Sequence, residues 1–481
     1  MTCCSSLRRW CAGGVTLGVF GAMLVLLSRD GEETPDLTPA AQAQKAEVMG
    51  RAWPLFGGTL SRNMINTVDK NIPDEWFLEV KDKKTGKVTK PAKNIKWAAA
   101  VGSKAYGGPT IANGKIYIGT NNEAPRDPKV KDDKGVLMCF RESDGQFLWQ
   151  ILHDKLPSGQ VNDWPKEGIC STPAYDNGRI YYVSNRCDLI CADAETGKIV
   201  WELDMLKTLN VFPHNMSAGN PLVAGDTVFV VTANGVDENH INIPSPKAPS
   251  FLAVDKKSGK VLWQDNSPTI KAAQIAAVED ESFFNKSPIK QLMDRGDIIQ
   301  HGQWSNPAFA TIGGKPQIIF PGGNGWVYSF DPATGKILWQ FDCNPKDYKY
   351  ELGGRGKRSD FIATPVVIGN QVIIGTGQDP EHYEGVGHLW CIDGTKSGDV
   401  SPVLVEDAKA TPIKTKPNPN SAVVWHYGGP TTPEDQAKIG RDYYYGRTMS
   451  TVAVQSSTVS VNSCRCEPVN VATNVPVAAL P

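Results

Sequence analysis

Leu189-Ile190-Cys191-Ala192-Asp193-Ala194-Glu195-Thr196-Gly197-Lys198-Ile199-Val200-Trp201 reads as two short strands folded about a tight Thr-Gly turn and ended by a tryptophan. The phrase returns as Phe251-Leu252-Ala253-Val254-Asp255-Lys256-Lys257-Ser258-Gly259-Lys260-Val261-Leu262-Trp263. It returns again as Val327-Tyr328-Ser329-Phe330-Asp331-Pro332-Ala333-Thr334-Gly335-Lys336-Ile337-Leu338-Trp339. A looser copy runs from Val136 through Asp144-Gly145 to Trp149. A phrase that recurs at repeat length marks a repeat architecture and outweighs any local strand reading.

Working outward, five copies run from a proline to a closing tryptophan: Pro109 to Trp149, Pro173 to Trp201, Pro221 to Trp263, Pro307 to Trp339 and Pro365 to Trp425. A half-copy, Thr85-Gly86-Lys87 with Trp97, precedes them. Soon after each proline stands a pair suited to a tight hairpin: Asn113-Gly114, Asn177-Gly178, Gly225-Asp226, Gly313-Gly314 and Gly369-Asn370. Such pairs permit the positive φ that two-residue hairpins need. β-branched runs such as Gln371-Val372-Ile373-Ile374 follow. Each unit is therefore four antiparallel strands, A to D. Such units cannot bury both faces alone, but packed radially as blades they do. The expected fold is all-β: a β-propeller of about five complete blades with partial N- and C-terminal blades, preceded by one hydrophobic helix. Trp97, Trp149, Trp201, Trp263, Trp339 and Trp425 are expected to pack between blades. The half-copy's outer strand could complete a blade begun by the C-terminus.

The chain has 481 residues, 40% hydrophobic and 21% charged, which suits a globular protein. A net charge of −1 leaves no nucleic-acid footprint. Residues 1–9 are a basic n-region with Arg8 and Arg9, and the eighteen residues 10–27 are apolar or small. That length suits a transmembrane anchor or a signal segment. The nearest small-residue cleavage site, Ala41-Gln42-Ala43, is distant, which favours the anchor. Acidic residues after the segment suggest that the body is exported. Residues 28–52 read as a linker and 53–454 as the propeller. Residues 455–481 contain no glycine and no tryptophan and read as an irregular tail, either a degenerate blade or a truncated or frameshifted product. The second alternative is the expectation.

Eleven cysteines are an odd count for complete pairing. Cys139, Cys191 and Cys391 share one repeat position and read as small buried side chains. Cys170 and Cys187 flank one predicted hairpin, where a disulfide is conceivable but diagonal neighbours usually sit too far apart.

The phrase Leu/Val-x-x-x-Asp-x-x-Thr-Gly-Lys-x-Leu/Val-Trp resembles the PQQ-like (quinoprotein) propeller repeat. It is similar to the blades of PQQ-dependent alcohol dehydrogenases and of the periplasmic BamB-type scaffold of outer-membrane assembly. The resemblance covers roughly residues 53–454 and implies intact relatives of seven to eight blades. It also implies a calcium-bound quinone, a catalytic aspartate and, in many members, a disulfide between adjacent cysteines. The chain's vicinal pair, Cys3-Cys4, precedes the hydrophobic segment, and no position here matches the calcium ligands or the aspartate. Fold does not fix activity.

Antiparallel strands place the A–B and C–D turns on one face and the B–C and D–A connections on the other. The A–B turns are short, and C–D is long only in the fifth copy, residues 394–421. B–C is long at 121–135, 234–249 and 376–387, and D–A at 264–302 and 340–360. Long loops on a rigid scaffold are where binding usually lives. On that face Asp379, Glu381, His382, Glu384 and His388 could hold a divalent ion, or form a solvated polar loop. Asp237-Glu238-Asn239-His240 is a weaker version. Lys346, Lys349, Arg355, Lys357 and Arg358, with Tyr348 and Tyr350, could meet an anionic partner or polysaccharide, or be a solvated charged loop. Residues 267–302 look partly helical. No nucleophile elbow, phosphate loop or zinc-spaced set stands out, and no catalytic or cofactor-binding residue is assigned.

The expected function is an exported, membrane-tethered binding or scaffold module for a protein or glycan partner in the cell envelope. The propeller would be anchored at the inner membrane on its periplasmic side, or secreted there if the signal is cleaved. The alternative is a PQQ- and calcium-dependent dehydrogenase of alcohols or sugars.

Overall fold

Asp193 shows why the repeated phrase folds as it does. Its Oδ1 accepts hydrogen bonds from Glu195 N (3.1 Å), Thr196 N (3.0 Å) and Thr196 Oγ1 (2.9 Å). The carboxylate caps the turn, and the Thr196 hydroxyl leads the contacts that hold its pKa below the ordinary carboxylate value. Gly197 then turns the chain at φ +72°, a conformation that favours glycine. Asp255 and Asp331 repeat the device with Ser258 and Thr334. Asp82 repeats it with Thr85 in the half-copy.

The computed structural model describes residues 52–66, 68–159, 161–215, 219–238, 243–268, 302–348, 357–378, 385–407, 410–455, 458–462 and 468–472. Of two compact units, Met1–Leu37 and Thr38–Pro481, only the second contains described residues. The apolar run 10–27 and most of the linker therefore lie outside the described residues, as does 269–301. Among the described residues no helix is long and apolar enough to cross a membrane.

The half-copy forms a ribbon of β1 (Val80–Lys81) and β2 (Val88–Lys90). Five four-stranded antiparallel units follow. The first is β3 (Thr110–Ala112), β4 (Lys115–Asn121), β5 (Lys134–Arg141) and β6 (Phe147–Asp154). The second is β7 (Ala174–Asp176), β8 (Arg179–Val183), β9 (Asp188–Asp193) and β10 (Ile199–Asp204), and helix α1 (Met205–Leu209) ends it. The third is β11 (Leu222–Ala224), β12 (Thr227–Val231), β13 (Phe251–Asp255) and β14 (Val261–Asp265). The fourth is β15 (Ala308–Ile312), β16 (Lys315–Pro321), β17 (Trp326–Phe330) and β18 (Ile337–Asp342). The fifth begins with β19 (Val366–Ile368), β20 (Gln371–Gly375) and β21 (His388–Asp393). After an insertion of β22 (Gly398–Asp399), β23 (Val403–Asp407) and β24 (Lys414–Pro417), β25 (Val423–Gly428) completes it. Every strand A starts directly after its proline, and every A–B turn is the predicted pair. The sheets are blades of a β-propeller, with strands A innermost and side by side in chain order.

Consecutive blades lock through the closing tryptophans. Trp149 covers Gly197 of the next blade so closely that a Cβ there would lie 2.7 Å from the indole. Trp97, Trp201 and Trp263 cover Gly145, Gly259 and Gly335 in the same way. Their indole N–H groups donate to Glu142 O (2.9 Å), Lys256 O (3.0 Å) and Pro332 O (2.8 Å). Trp97 thus supplies, from the half-copy, what a preceding blade would supply. Buried apolar side chains fill the space between blades; one cluster joins the second, third and fourth, and others join the first to the second and the fourth to the fifth.

The insertion within the fifth copy is more than a long turn. Its strand β22 crosses to the fourth blade and pairs in parallel with β18, Trp339 opposite Gly398 and Gln340 opposite Asp399. Trp339 is fully buried and donates to Gln317 Oε1 of its own blade (2.8 Å). Within 455–481, expected to be irregular, the described residues 455, 458–462 and 468–472 are strand, and the rest lie outside the described residues. After α2 (Pro433–Ile439), β26 (Ala453–Gln455), β27 (Thr458–Asn462) and β28 (Pro468–Ala472) form a three-stranded antiparallel sheet. Valine at every second position, 459 and 461 opposite 471 and 469, gives these segments strand periodicity without a glycine turn. Cys170 and Cys187 are thiols, not a disulfide; their sulfurs contact Gly168 O and Thr232 O respectively.

Candidate functional site

In the second to fifth blades the residue before the strand-A proline is polar: Thr172, Asn220, Asn306 and Thr364; in the first it is Gly108. All four polar residues are buried. They form a chain of hydrogen bonds from blade to blade. Gly108 N donates to Thr172 Oγ1 (2.8 Å), and Thr172 N to Asn220 Oδ1 (2.6 Å). Asn220 N donates to Asn306 Oδ1 (2.8 Å), Asn306 Nδ2 to Thr364 Oγ1 (2.9 Å), and Thr364 N to Thr451 Oγ1 (3.1 Å). Because strand A starts on the side of the D–A and B–C connections, this chain marks the axis at the loop-rich face.

A turn-rich segment, residues 53–63, runs along the innermost strands. Ile111 N donates to Trp53 O, Tyr175 N to Pro54 O, Phe309 N to Leu60 O, and Val367 N to Ser61 O. Asn63 exchanges two hydrogen bonds with Val454. Arg62 is fully buried and donates to Pro307 O (2.7 Å), Phe56 O (2.5 Å) and Asn220 O (3.4 Å). Burial pulls its guanidinium pKa down to about 9.

Two charged clusters support the loops. Asp342, at the end of β18, accepts from Lys346 Nζ (2.9 Å) and Arg358 Nη2 (3.2 Å), and Arg358 also donates to Asn324 O. Nearby Arg447 Nε donates to Ser359 Oγ (3.1 Å). Between the first and second blades, buried Asp163 pairs with Lys155 and accepts from Leu156 N and Asn185 Nδ2 (both 2.8 Å). Three half-buried tryptophans sit among these connections. Trp164 Nε1 donates to Asn215 Oδ1 (3.1 Å), Trp304 Nε1 to His214 O (3.3 Å), and Lys346 lies 4.3 Å from the Trp326 ring centre.

Of the five possible metal ligands, Asp379, Glu381, His382 and Glu384 lie outside the described residues. His388 is buried, and its Nδ1 shares a 2.9 Å hydrogen bond with His426 Nε2. The Trp390 ring stacks on His426 at 4.0 Å, and Tyr348 flanks His388. Burial, then the His426 charge, pulls His388 to about 3; burial pulls His426 to about 4. In the third copy Asp237 is half-buried and Glu238 exposed, while Asn239 and His240 lie outside the described residues. Within 340–360, Lys346 and Arg358 turn inward to Asp342 instead of facing solvent, and Lys349, Tyr350 and Arg355 lie outside the described residues. Sequence reading missed the axial segment, Arg62 and the polar chain, although the Thr/Asn-Pro pairs that build the chain were visible.

A bound calcium takes about six to eight oxygen ligands, usually including carboxylates. Among the described residues no three His, Cys, Asp or Glu side chains gather to hold a cation. On the axis, Asn220 Oδ1 and Asn306 Oδ1 already accept backbone N–H groups, and Arg62 places a positive charge beside them. The described residues thus do not fit a calcium-bound quinone there.

A sequence profile of the family described as "Outer membrane protein assembly factor BamB" matches residues 133–293, which carry PQQ-like repeats. The quinone-type alcohol dehydrogenase dehydrogenase subunit of Gluconobacter oxydans is 26% identical over 322 residues, 63% of this chain and 36% of that protein. This chain therefore spans little more than a third of that relative's length. Outer membrane protein assembly factor BamB of Yersinia pestis is 20% identical over 294 residues, 58% of this chain and 61% of that protein. Among solved structures, the quinohemoprotein alcohol dehydrogenase of Comamonas testosteroni matches with a TM-score of 0.40 and 12% identity, covering 91% of this chain and 77% of that one.

Proposed function

We propose that this array of PQQ-like blades is a binding module of the cell envelope that grips a protein or glycan partner through its loop-rich face. The observation that carries the reading is the placement of half-buried Trp164 and Trp304 on the connections of that face and of half-buried Trp326 where a connection enters β17, with Trp164 beside the Lys155–Asp163 pair and Trp326 beside Lys346. Tryptophan offers a large apolar surface with a polar handle, suited to sugar rings and to protein side chains alike. The apolar run 10–27 supports export and tethering, and a relative named for outer-membrane assembly supports an envelope setting.

The test is a pull-down from envelope extract with the full chain and with a Trp164→Ala/Trp304→Ala/Trp326→Ala variant. Recovery of a protein or glycan by the first and its loss by the second is expected. Equal recovery by both, with both folded, would move the binding surface elsewhere.

A further inference from the structure

The outer strands of three blades carry the same triplet: Leu148-Trp149-Gln150, Leu262-Trp263-Gln264 and Leu338-Trp339-Gln340. In each, the leucine before the tryptophan is a bulge residue in the pairing with strand C. In the fourth blade the triplet is covered. Strand β22 lies parallel to it, Val400 N donates to Gln340 O (2.9 Å), and Asp342 N donates to Ser401 Oγ (2.9 Å). Leu338 is thereby partly buried and Trp339 wholly so. In the third blade Trp263 is half-buried against the fourth blade, but Leu262 is 54% exposed, Gln264 is exposed, and among the described residues no strand pairs with the outer side of β14. An open sheet edge is a template for another strand, and the bulge does not prevent this, since the fourth blade carries both.

We propose that Leu262-Trp263-Gln264 receives an extended strand of a partner protein, laid parallel to β14, with a glycine–acid–β-branched sequence like Gly398-Asp399-Val400. The glycine sits opposite Trp263, as Gly398 sits opposite Trp339, where the chain takes φ +81°. The next residue but one donates its N–H to Gln264 O, as Val400 does to Gln340 O. This surface lies on the rim and is separate from the loop-rich face.

The test uses the full chain and a fluorescent peptide copying residues 396–402, Lys-Ser-Gly-Asp-Val-Ser-Pro. Saturable anisotropy is expected, weakened about tenfold or more by Leu262→Glu and by proline in place of the peptide's valine, which removes the donor. A benzophenone on the peptide should crosslink within residues 261–265, a readout that needs no variant of the chain. No saturable binding at millimolar peptide, or crosslinks confined to other segments, overturns the proposal.

Discussion

Trp149 lies on Gly197, one blade's last strand pressed against the turn of the next, with no room for even a methyl group between them. The closing tryptophan and the turn glycine of the repeated phrase are therefore partners, but each glycine's partner belongs to the preceding copy. Gly197→Ala combines that clash with a left-handed φ and should cost about 2–4 kcal/mol. Gly178→Ala has the same kind of φ, +77°, with nothing within 4 Å, and should cost about 1 kcal/mol. Urea unfolding of the two variants separates contact from conformation.

The axial segment should be needed for folding. A chain beginning at residue 52 is expected to unfold as cooperatively as the whole chain. One beginning at residue 64 loses Arg62 and the backbone pairs to β3, β7, β15 and β19. It should lose its near-ultraviolet circular dichroism or unfold without a sharp transition.

Asp342→Asn removes the charge facing Lys346 and Arg358, leaving two nearly buried cations without it. Breaking a buried ion pair from one side costs about 3–5 kcal/mol. Thermal melting should show the loss, and Asp144→Asn, in an exposed pair with Arg141, should show almost none.

Acid should weaken the fold through buried imidazoles. His153 and His426 are pulled to about 4 and His388 to about 3, chiefly by burial. Their unfolded values lie near about 6.5. The unfolded chain therefore binds protons first, and stability present above about pH 6.5 is lost as pH falls toward about 4. Asp188, raised to about 6 by burial, acts oppositely and gains stability as pH falls below that value. Burial raises the Asp265 carboxyl in the same direction as Asp188. Three imidazoles outweigh two carboxyls, so the urea midpoint should drop between about pH 7 and pH 4. It should drop less in His388→Asn/His426→Asn.

Much of the fold was legible because its devices are local. Asp193, Thr196 and Gly197 make their turn from adjacent residues, and each hairpin pair fixes its own register. What crossed between copies was not legible. Nothing local in Gly398-Asp399 says that it pairs with β18, and nothing in residues 53–63 says that they span the innermost strands. In the described part of the tail, strand periodicity stands without the glycine that marks the other turns. Of the candidate site, the loop-rich face followed from connection lengths. The inward turn of Lys346 and Arg358 depended on Asp342, whose burial only the packed structure reveals.

Hydroxyl-radical footprinting of the chain with and without the partner recovered from envelope extract decides which face binds. Protection of Trp164, Trp304 and Trp326, with the opposite hairpin turns at 113–114, 177–178 and 225–226 unchanged, is the predicted pattern. Protection of those hairpin turns, with the three tryptophans equally reactive in both states, would contradict it.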